Sequence, residues 1–168
     1  AERAAEAERA AEAERAAEYD LIKRLHKRAG EFRGATYGNV ENYKDFAMIY
    51  VYRAREFKSD ARGLALLYAQ MMLMTGAWDL EIAGEPQRAF ELYALAEAVA
   101  AIANEVVQNK SHMNLIAKNN QDIGGLKQGL LTGRMRNIPR QLLQNIYEGN
   151  FKRVYRVYNH EEEPIRKR

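Results

Sequence analysis

The side chains best suited to bind a metal ion or to act as a catalytic base are His26, His112 and His160. They lie far apart in the sequence, and none has a second ligand residue three or four positions away in an arrangement typical of zinc sites. Three glutamates follow His160, but a solvated tail explains this cluster better than a metal site. With no cysteine, the chain can form neither a thiolate metal site nor a disulfide. The sequence therefore predicts no metal and no cofactor.

Carboxylates and glycines are the next candidates for catalytic chemistry. Many carboxylates fall on predicted helix faces, but the sequence singles out no pair for acid–base catalysis. Gly124, Gly125, Gly129 and Gly133 superficially suggest a phosphate-binding loop. They match neither the Walker nor the dinucleotide fingerprint, and no predicted strand precedes them. We therefore predict that the protein is not an enzyme.

The last third of the chain carries an excess of positive charge. Residues 107–160 contain nine Lys or Arg side chains against Asp122 and Glu148, a net charge of +7. Clustered cations bind phosphates, and exposed aromatic rings stack on bases. Within residues 118–156, the candidate nucleic-acid-binding cations are Lys127, Arg134, Arg136, Arg140, Lys152, Arg153 and Arg156. The aromatic residues interleaved with the last of them are Tyr147, Phe151, Tyr155 and Tyr158. An ordinary solvated helix face has the same composition, so nucleic-acid binding is the alternative prediction.

One part of the chain resembles a known family. Residues 64–106 contain an apolar helix with Leu66-Leu67-Tyr68, a glycine turn, and a second helix that begins Ala-Phe-Glu-Leu-Tyr-Ala-Leu-Ala at Ala89. This segment is similar to the central hairpin of flagellin-type export chaperones, and the resemblance implies a helical adaptor or chaperone. It covers about a quarter of the chain and ends at residue 107. A tight helical hairpin of unrelated function would show the same pattern, so both interpretations stay open.

The N-terminal segment is a regular repeat. Residues 1–18 read AERAAE three times and carry six Glu and three Arg, a net charge of −3. All three residue types favour helices, and pairs such as Glu6–Arg9 support a helix in isolation. A six-residue period advances about 600° around a helix, so it builds no single apolar stripe. The abrupt change at Tyr19 favours an engineered extension, and we predict that its removal leaves the rest of the chain folded and its binding unchanged.

Apolar residues in alternating steps of three and four predict helices over about 40–58, 61–83 and 86–108. The seam predicted for the first of these comprises Val40, Tyr43, Ala47, Tyr50, Ala54 and Phe57. The second seam comprises Leu64, Leu67, Met71, Met74, Trp78 and Ile82. The third comprises Ala89, Tyr93, Ala96, Ala100, Ala103 and Val107. Three such helices with short connections predict an up-down bundle.

Glycines are predicted to divide the remaining helices. Gly30 is expected to end the first helix, and Gly124 and Gly125 to interrupt a helix that starts near residue 112. Gly149 is expected to separate two short helices at the end of the chain. Asn39 is a candidate cap for the second helix, and Ser59 or Asp60 for the third.

Together these patterns predict an all-α, up-down bundle of five or more helices with a protruding N-terminal helix. We expect four regions: the extension 1–18, a bundle core 19–110, a basic helical region 111–160 packed on the core, and a flexible tail 161–168. The leading prediction is a non-enzymatic protein-binding or assembly module, adaptor- or chaperone-like, that binds another protein or a second copy through apolar helix faces. No window reaches the roughly 18 uncharged residues that a membrane helix requires. We therefore expect a cytoplasmic protein without a membrane partner.

Overall fold

The structure is a computed structural model, and it describes residues 2–33 and 40–161. These ranges form six helices and contain no β-strand. In chain order the helices are α1 (Glu2–Arg33), α2 (Val40–Glu56), α3 (Ala61–Ile82), α4 (Pro86–Val106), α5 (Lys110–Thr132) and α6 (Arg140–Tyr158). The predicted all-α fold with a long N-terminal helix is confirmed.

Contacts between the helices fix their directions. At one end of the bundle Asn109 Nδ2 lies 3.2 Å from Asp60 Oδ2, and further along Gln70 Nε2 donates to the Ile116 carbonyl at 3.1 Å. The starts of α3 and α5 therefore lie together, and these two helices run parallel. The short links from α2 to α3, from α3 to α4 and from α4 to α5 make sequence neighbours antiparallel, as expected for an up-down bundle.

The helices α2, α3 and α4 form a central layer in which α3 packs against both neighbours. On this layer α6 lies against α4 and α2, α5 lies against α4 and α3, and α1 lies against α2 and α3. The predicted seams of α2, from Tyr43 to Phe57, and of α4, from Ala89 to Ala103, are buried in the core. The hydrophobic periodicity of these two helices therefore predicted their core faces correctly.

Only part of the seam predicted for α3 faces the core, because Leu64 and Met74 are no more than partly buried against it. Leu67 is buried, but Met71, Trp78 and Ile82 have 47%, 54% and 58% of their surface exposed. Most of the core on this helix is filled by Leu66, Leu73 and Leu80, a seam displaced by one residue from the predicted Leu67 and Met74. The helix is apolar around most of its circumference, so two seams fit the same spacing, and packing against two neighbours selected the other one.

Three of the predicted glycine breaks are also wrong. Helix α1 continues past Gly30 to Arg33, α5 runs unbroken through Gly124 and Gly125, and α6 runs through Gly149. Each helical glycine costs up to about 1 kcal/mol relative to alanine. In α5 this cost is outweighed by the burial of its core face, which comprises Ile116, Ile123 and Leu130.

The caps differ in detail from the prediction. Helix α5 begins two residues earlier than expected, because the Asn109 side chain accepts a hydrogen bond from the His112 amide at 3.0 Å. At α3 the N-cap residue is Asp60, whose side chain makes no capping hydrogen bond, and the Oγ of the preceding Ser59 accepts from the Ala61 amide at 3.1 Å. The predicted cap Asn39 and the end of the tail, 162–168, lie outside the described residues.

The N-terminal repeat is part of one continuous helix, and its last turn contacts the bundle. The side chains of residues 2–13 are almost all exposed. Contact begins with Glu14 and Arg15, and the Arg15 Nε lies 2.8 Å from Asp60 Oδ1. The hydrogen bond from Arg15 holds the pKa of Asp60 below its ordinary value. The physical boundary between projecting rod and docked helix therefore lies near residue 14 instead of residue 18.

Glu18 fixes α1 to the start of α3. Its carboxylate accepts hydrogen bonds from the Lys58 and Ser59 amides, at 3.0 and 2.9 Å, and from the Ser59 hydroxyl at 2.6 Å. Burial raises the pKa of Glu18, but these hydrogen bonds and the charge of Arg62 outweigh it, so the net shift is downward. The carboxylate thus provides hydrogen-bond acceptors for the Lys58 and Ser59 amides, which precede α3 and would otherwise have to bond to water.

Candidate protein-docking groove

Two exposed apolar side chains of α3, Trp78 and Ile82, border a groove between α3 and α5. The groove encloses about 470 Å³. Its lining residues are Trp78, Glu81, Ile82, Gly125, Leu126, Gly129, Leu130, Gly133 and Arg134. We refer to this surface as the α3–α5 groove. Its apolar floor comes from both helices, and Trp78 and Ile82 stand at its edge with more than half of their surface exposed.

Glycines form the α5 side of the groove. Gly125 and Gly129 are four residues apart, so they lie along one side of α5, and Gly133 follows directly after the end of the helix. A Cβ atom added at Gly125 or Gly129 would meet no atom within 4 Å, so this side is open. Without side chains, the α5 backbone can be approached closely by another chain.

Two charged residues at the groove rim are held in place by hydrogen bonds. The Tyr93 hydroxyl donates to Glu81 Oε2 at 2.5 Å, and Arg134 Nη1 donates to the Glu81 carbonyl at 2.7 Å. Burial, the hydrogen bond to Glu81 and the charge of Glu81 all raise the pKa of Tyr93. An apolar floor with a few fixed polar groups is the usual composition of a binding site.

The outward face of α3 remains apolar beyond the groove. Met71, two turns before Trp78, lines a small cavity of about 40 Å³ with Tyr68 and His26 of α1. The His26 ring stacks on Tyr68 with centroids 4.6 Å apart. Helix α1 therefore lies beside one part of this face, while Trp78 and Ile82 stay exposed.

The seven cations predicted to bind nucleic acid do not form one site. Arg134, Arg136 and Arg140 are exposed at or near the turn between α5 and α6. Lys152 and Arg156 are exposed near the end of α6, and Lys152 comes twelve residues after Arg140 along the helix, a rise of about 18 Å. The structure thus places Arg134 in the lining of the α3–α5 groove, and Lys152 and Arg156 at the other end of α6 from Arg140.

Lys127 is enclosed by other side chains. Its Nζ lies 2.5 Å from Glu97 Oε1, and the two side chains are only 13% and 15% exposed. The same Nζ lies 4.2 Å from the centre of the Tyr147 ring and 5.1 Å from that of Phe90. Burial first, then the charge and hydrogen bonding of Glu97, raise the pKa of Tyr147 to about 12. This cluster joins α4, α5 and α6, and its ammonium group is bound to Glu97.

Arg153 and the interleaved tyrosines also have structural surroundings. Arg153 is half-buried, and its Nε has no hydrogen-bond partner within the described residues. Tyr158 is buried, with the Arg55 guanidinium 5.9 Å from its ring centre. Of the four interleaved aromatics, only Phe151 and Tyr155 are exposed, at 40% and 47%.

The three histidines are dispersed, as their sequence positions suggested. His26 stacks on Tyr68, His160 stacks on Tyr52 with centroids 4.4 Å apart, and His112 lies against the backbone of α3 at Gly63. Across residues 2–33 and 40–161, no three histidine or carboxylate side chains are grouped to hold a metal ion. None of the helices in these ranges has the length and apolar character that a membrane crossing requires.

No protein-family model matches the chain, and no curated protein or solved structure shows significant similarity to it.

Sequence reasoning missed the groove for two reasons. It assigned Trp78 and Ile82 to the core, and it interpreted the glycines of α5 as helix breaks. The four-residue spacing of Gly125, Gly129 and Gly133 was the available signal, since it predicts a smooth side only if the helix is continuous.

Proposed function

We propose that the protein is a non-enzymatic protein-binding module that receives an amphipathic helix of a partner in the α3–α5 groove. The observation that supports this most is the exposure of Trp78 and Ile82 on an outward apolar seam of α3. Exposing a tryptophan beside an isoleucine is unfavourable in water, and such patches mark interaction sites. An amphipathic helix in an apolar groove is a common mode of recognition between proteins.

The groove favours a particular chemistry in the partner helix. Its open glycine side accommodates a helix that approaches closely, with small or aliphatic residues facing Gly129. Arg134 lines the groove and is exposed, so an acidic flank on the partner would complement it, and Arg136 adds a second exposed cation two residues further along the chain. The partner is therefore an amphipathic helix with an aliphatic face and acidic residues on one edge.

Trp78 allows a direct test, because it is the only tryptophan of the chain. The probe is a synthetic, tryptophan-free amphipathic helix with a leucine and alanine face and a glutamate edge. Docking should shift the Trp78 emission to shorter wavelength as the ring leaves water. A scrambled peptide of identical composition and a peptide with glutamine in place of glutamate are the reference ligands, and the second should bind more weakly at low salt.

A matched pair of variants locates the binding. Gly129→Leu places a side chain in the groove, whereas Gly124→Leu adds the same residue elsewhere on α5, also with nothing within 4 Å of its Cβ. Peptide binding should be lost in the first variant and retained in the second. Equal binding of the scrambled peptide, or equal loss in both variants, would refute the groove as the docking site. If Trp78 is already shielded in a concentration-dependent manner without peptide, the occupant is a second copy.

A further inference from the structure

The exposed side of α6 carries two parallel rows of side chains. Phe151 and Tyr155 form an aromatic row, and Lys152 and Arg156 form a cationic row. Each row spans four residues, one helical turn, and the rows are about 100° apart around the helix. We refer to these four residues as the α6 strip. It lies on the helix that covers α4 and α2, whereas the groove lies between α3 and α5.

The two rings of the α6 strip lie in nearly the same orientation. Phe151 and Tyr155 have ring centroids 6.4 Å apart and planes inclined by 21°. Their exposed fractions are 40% and 47%, whereas Tyr158 on the same helix is buried. Such a pair offers neighbouring π surfaces on which flat groups can stack.

The cationic row is available to a ligand. In the part of the chain that the structure describes, no carboxylate forms an ion pair with Lys152 or Arg156. A third cation, Arg55, lies 5.9 Å from the ring centre of Tyr158 on the same helix. Glu148, one turn before Lys152, accepts a hydrogen bond from Gln144 at 3.1 Å and is the acidic group at the start of the strip.

We infer that the α6 strip binds single-stranded nucleic acid. Bases would stack on Phe151 and Tyr155, and the adjoining phosphates would contact Lys152 and Arg156. A duplex keeps its base faces stacked internally, so it cannot use the aromatic row. From residue 151 to residue 156 the helix rises about 7.5 Å, so the strip contacts about two nucleotides. This narrows the seven cations predicted from the sequence to two, and it adds the two rings that the structure exposes.

Fluorescence anisotropy of a labelled oligothymidine of about 16 nucleotides provides the test. The key variant is Phe151→Leu with Tyr155→Leu, which retains apolar volume on the helix but removes the π surfaces. We expect the Kd to rise at least about fivefold with no change in its salt dependence. Trp78→Leu is the matched control, since it removes an exposed ring from the groove and should leave the Kd unchanged.

The cationic row is tested by its salt dependence. Replacing Lys152 and Arg156 by alanine should make the slope of log Kobs against log salt less negative by about 1.4, because single strands contribute about 0.7 for each phosphate contact. The measurement compares about 50 and 200 mM salt. Replacing Arg136 and Arg140 by alanine removes the same charge elsewhere and should change the slope much less. Circular dichroism confirms that each variant keeps its helix content.

Several outcomes would overturn the inference. It is wrong if the oligonucleotide does not bind at low salt, if a duplex of the same length binds equally well, or if the leucine variant binds like the unchanged protein. Binding to anionic phospholipid vesicles without binding to the oligonucleotide would show that the strip contacts a membrane surface instead. Failure here leaves the groove proposal intact, because peptide docking is measured separately through Trp78.

Discussion

The cluster around Lys127 allows a quantitative prediction. Replacing Lys127 by methionine keeps most of the side-chain volume but leaves the Glu97 carboxylate without its cation. Both side chains are more than four-fifths buried, so little water can compensate the remaining charge. We expect Lys127→Met to be strongly destabilising even though it introduces a more apolar residue.

The size of the effect follows from the geometry. Removing one partner of a buried ion pair costs about 3–5 kcal/mol. The Tyr147 side chain remains beside Glu97 in the variant, and some exposure remains, so we expect the lower end, about 3 kcal/mol. For a chain of this size that corresponds to a decrease in Tm of about 6–12 °C.

A double-mutant cycle measured by urea denaturation, followed by circular dichroism, separates the pair from its surroundings. Glu97→Gln removes the charge of Glu97 but keeps a side-chain oxygen as an acceptor. The double variant, Glu97→Gln with Lys127→Met, should therefore be about 2 kcal/mol more stable than the sum of the two single effects predicts. Lys118→Met, on the exposed side of α5, is the control and should change the stability by less than about 0.5 kcal/mol. A cost below about 1 kcal/mol for Lys127→Met, or strict additivity, would contradict this reasoning.

Three further predictions follow from local contacts. Gly129→Ala should raise the free energy of unfolding by about 0.5–1 kcal/mol, because its Cβ meets no neighbour. Gly63→Ala should lower the free energy of unfolding, because its Cβ would lie 2.6 Å from His112 Nδ1. Urea denaturation of the two variants compares these effects. The depressed pKa of Glu18 stabilises the docked α1 at pH values above the ordinary pKa of 4.5, and this contribution is lost as the pH falls through the depressed pKa. Hydrogen exchange of residues 14–33 should therefore increase at low pH. In Glu18→Gln the same increase should be seen near neutral pH. The raised pKa of Tyr147 stabilises the fold at pH values below the ordinary pKa of 10, and this contribution is lost as the pH rises toward about 12. Urea denaturation of Tyr147→Phe should show a weaker loss of stability at alkaline pH.

Much of the fold could be predicted from the sequence because most helices carry a single apolar seam. In α2 and α4 the steps of three and four residues left one possible core face, and residues such as Tyr50 and Ala96 are fully buried as predicted. The glycines misled because their local cost is small. A penalty near 1 kcal/mol at Gly124 is less than the gain from burying Ile123 and Leu130 on either side.

The candidate sites were harder to predict because exposure depends on tertiary packing. Spacing placed Tyr147, Phe151, Tyr155 and Tyr158 in the same class, yet only two of them face solvent. Lys127 likewise looks like any other cation in the sequence. Its role depends on Glu97, thirty residues earlier, and on the crossing of α4 and α5 that brings them together.

The outward apolar seam of α3, part of which the sequence pattern assigned to the core, is also the surface that we propose binds a partner. The bundle needs one apolar face of α3 against α2 and α4, and Leu66, Leu73 and Leu80 provide it. The additional side chains Trp78 and Ile82 contribute little to this core, and their exposure lowers solubility. A helix that carries more apolar surface than its own fold buries is expected where another surface covers it. For α3, the stretch that looked most like buried core in the sequence is therefore also the stretch most suited to a partner.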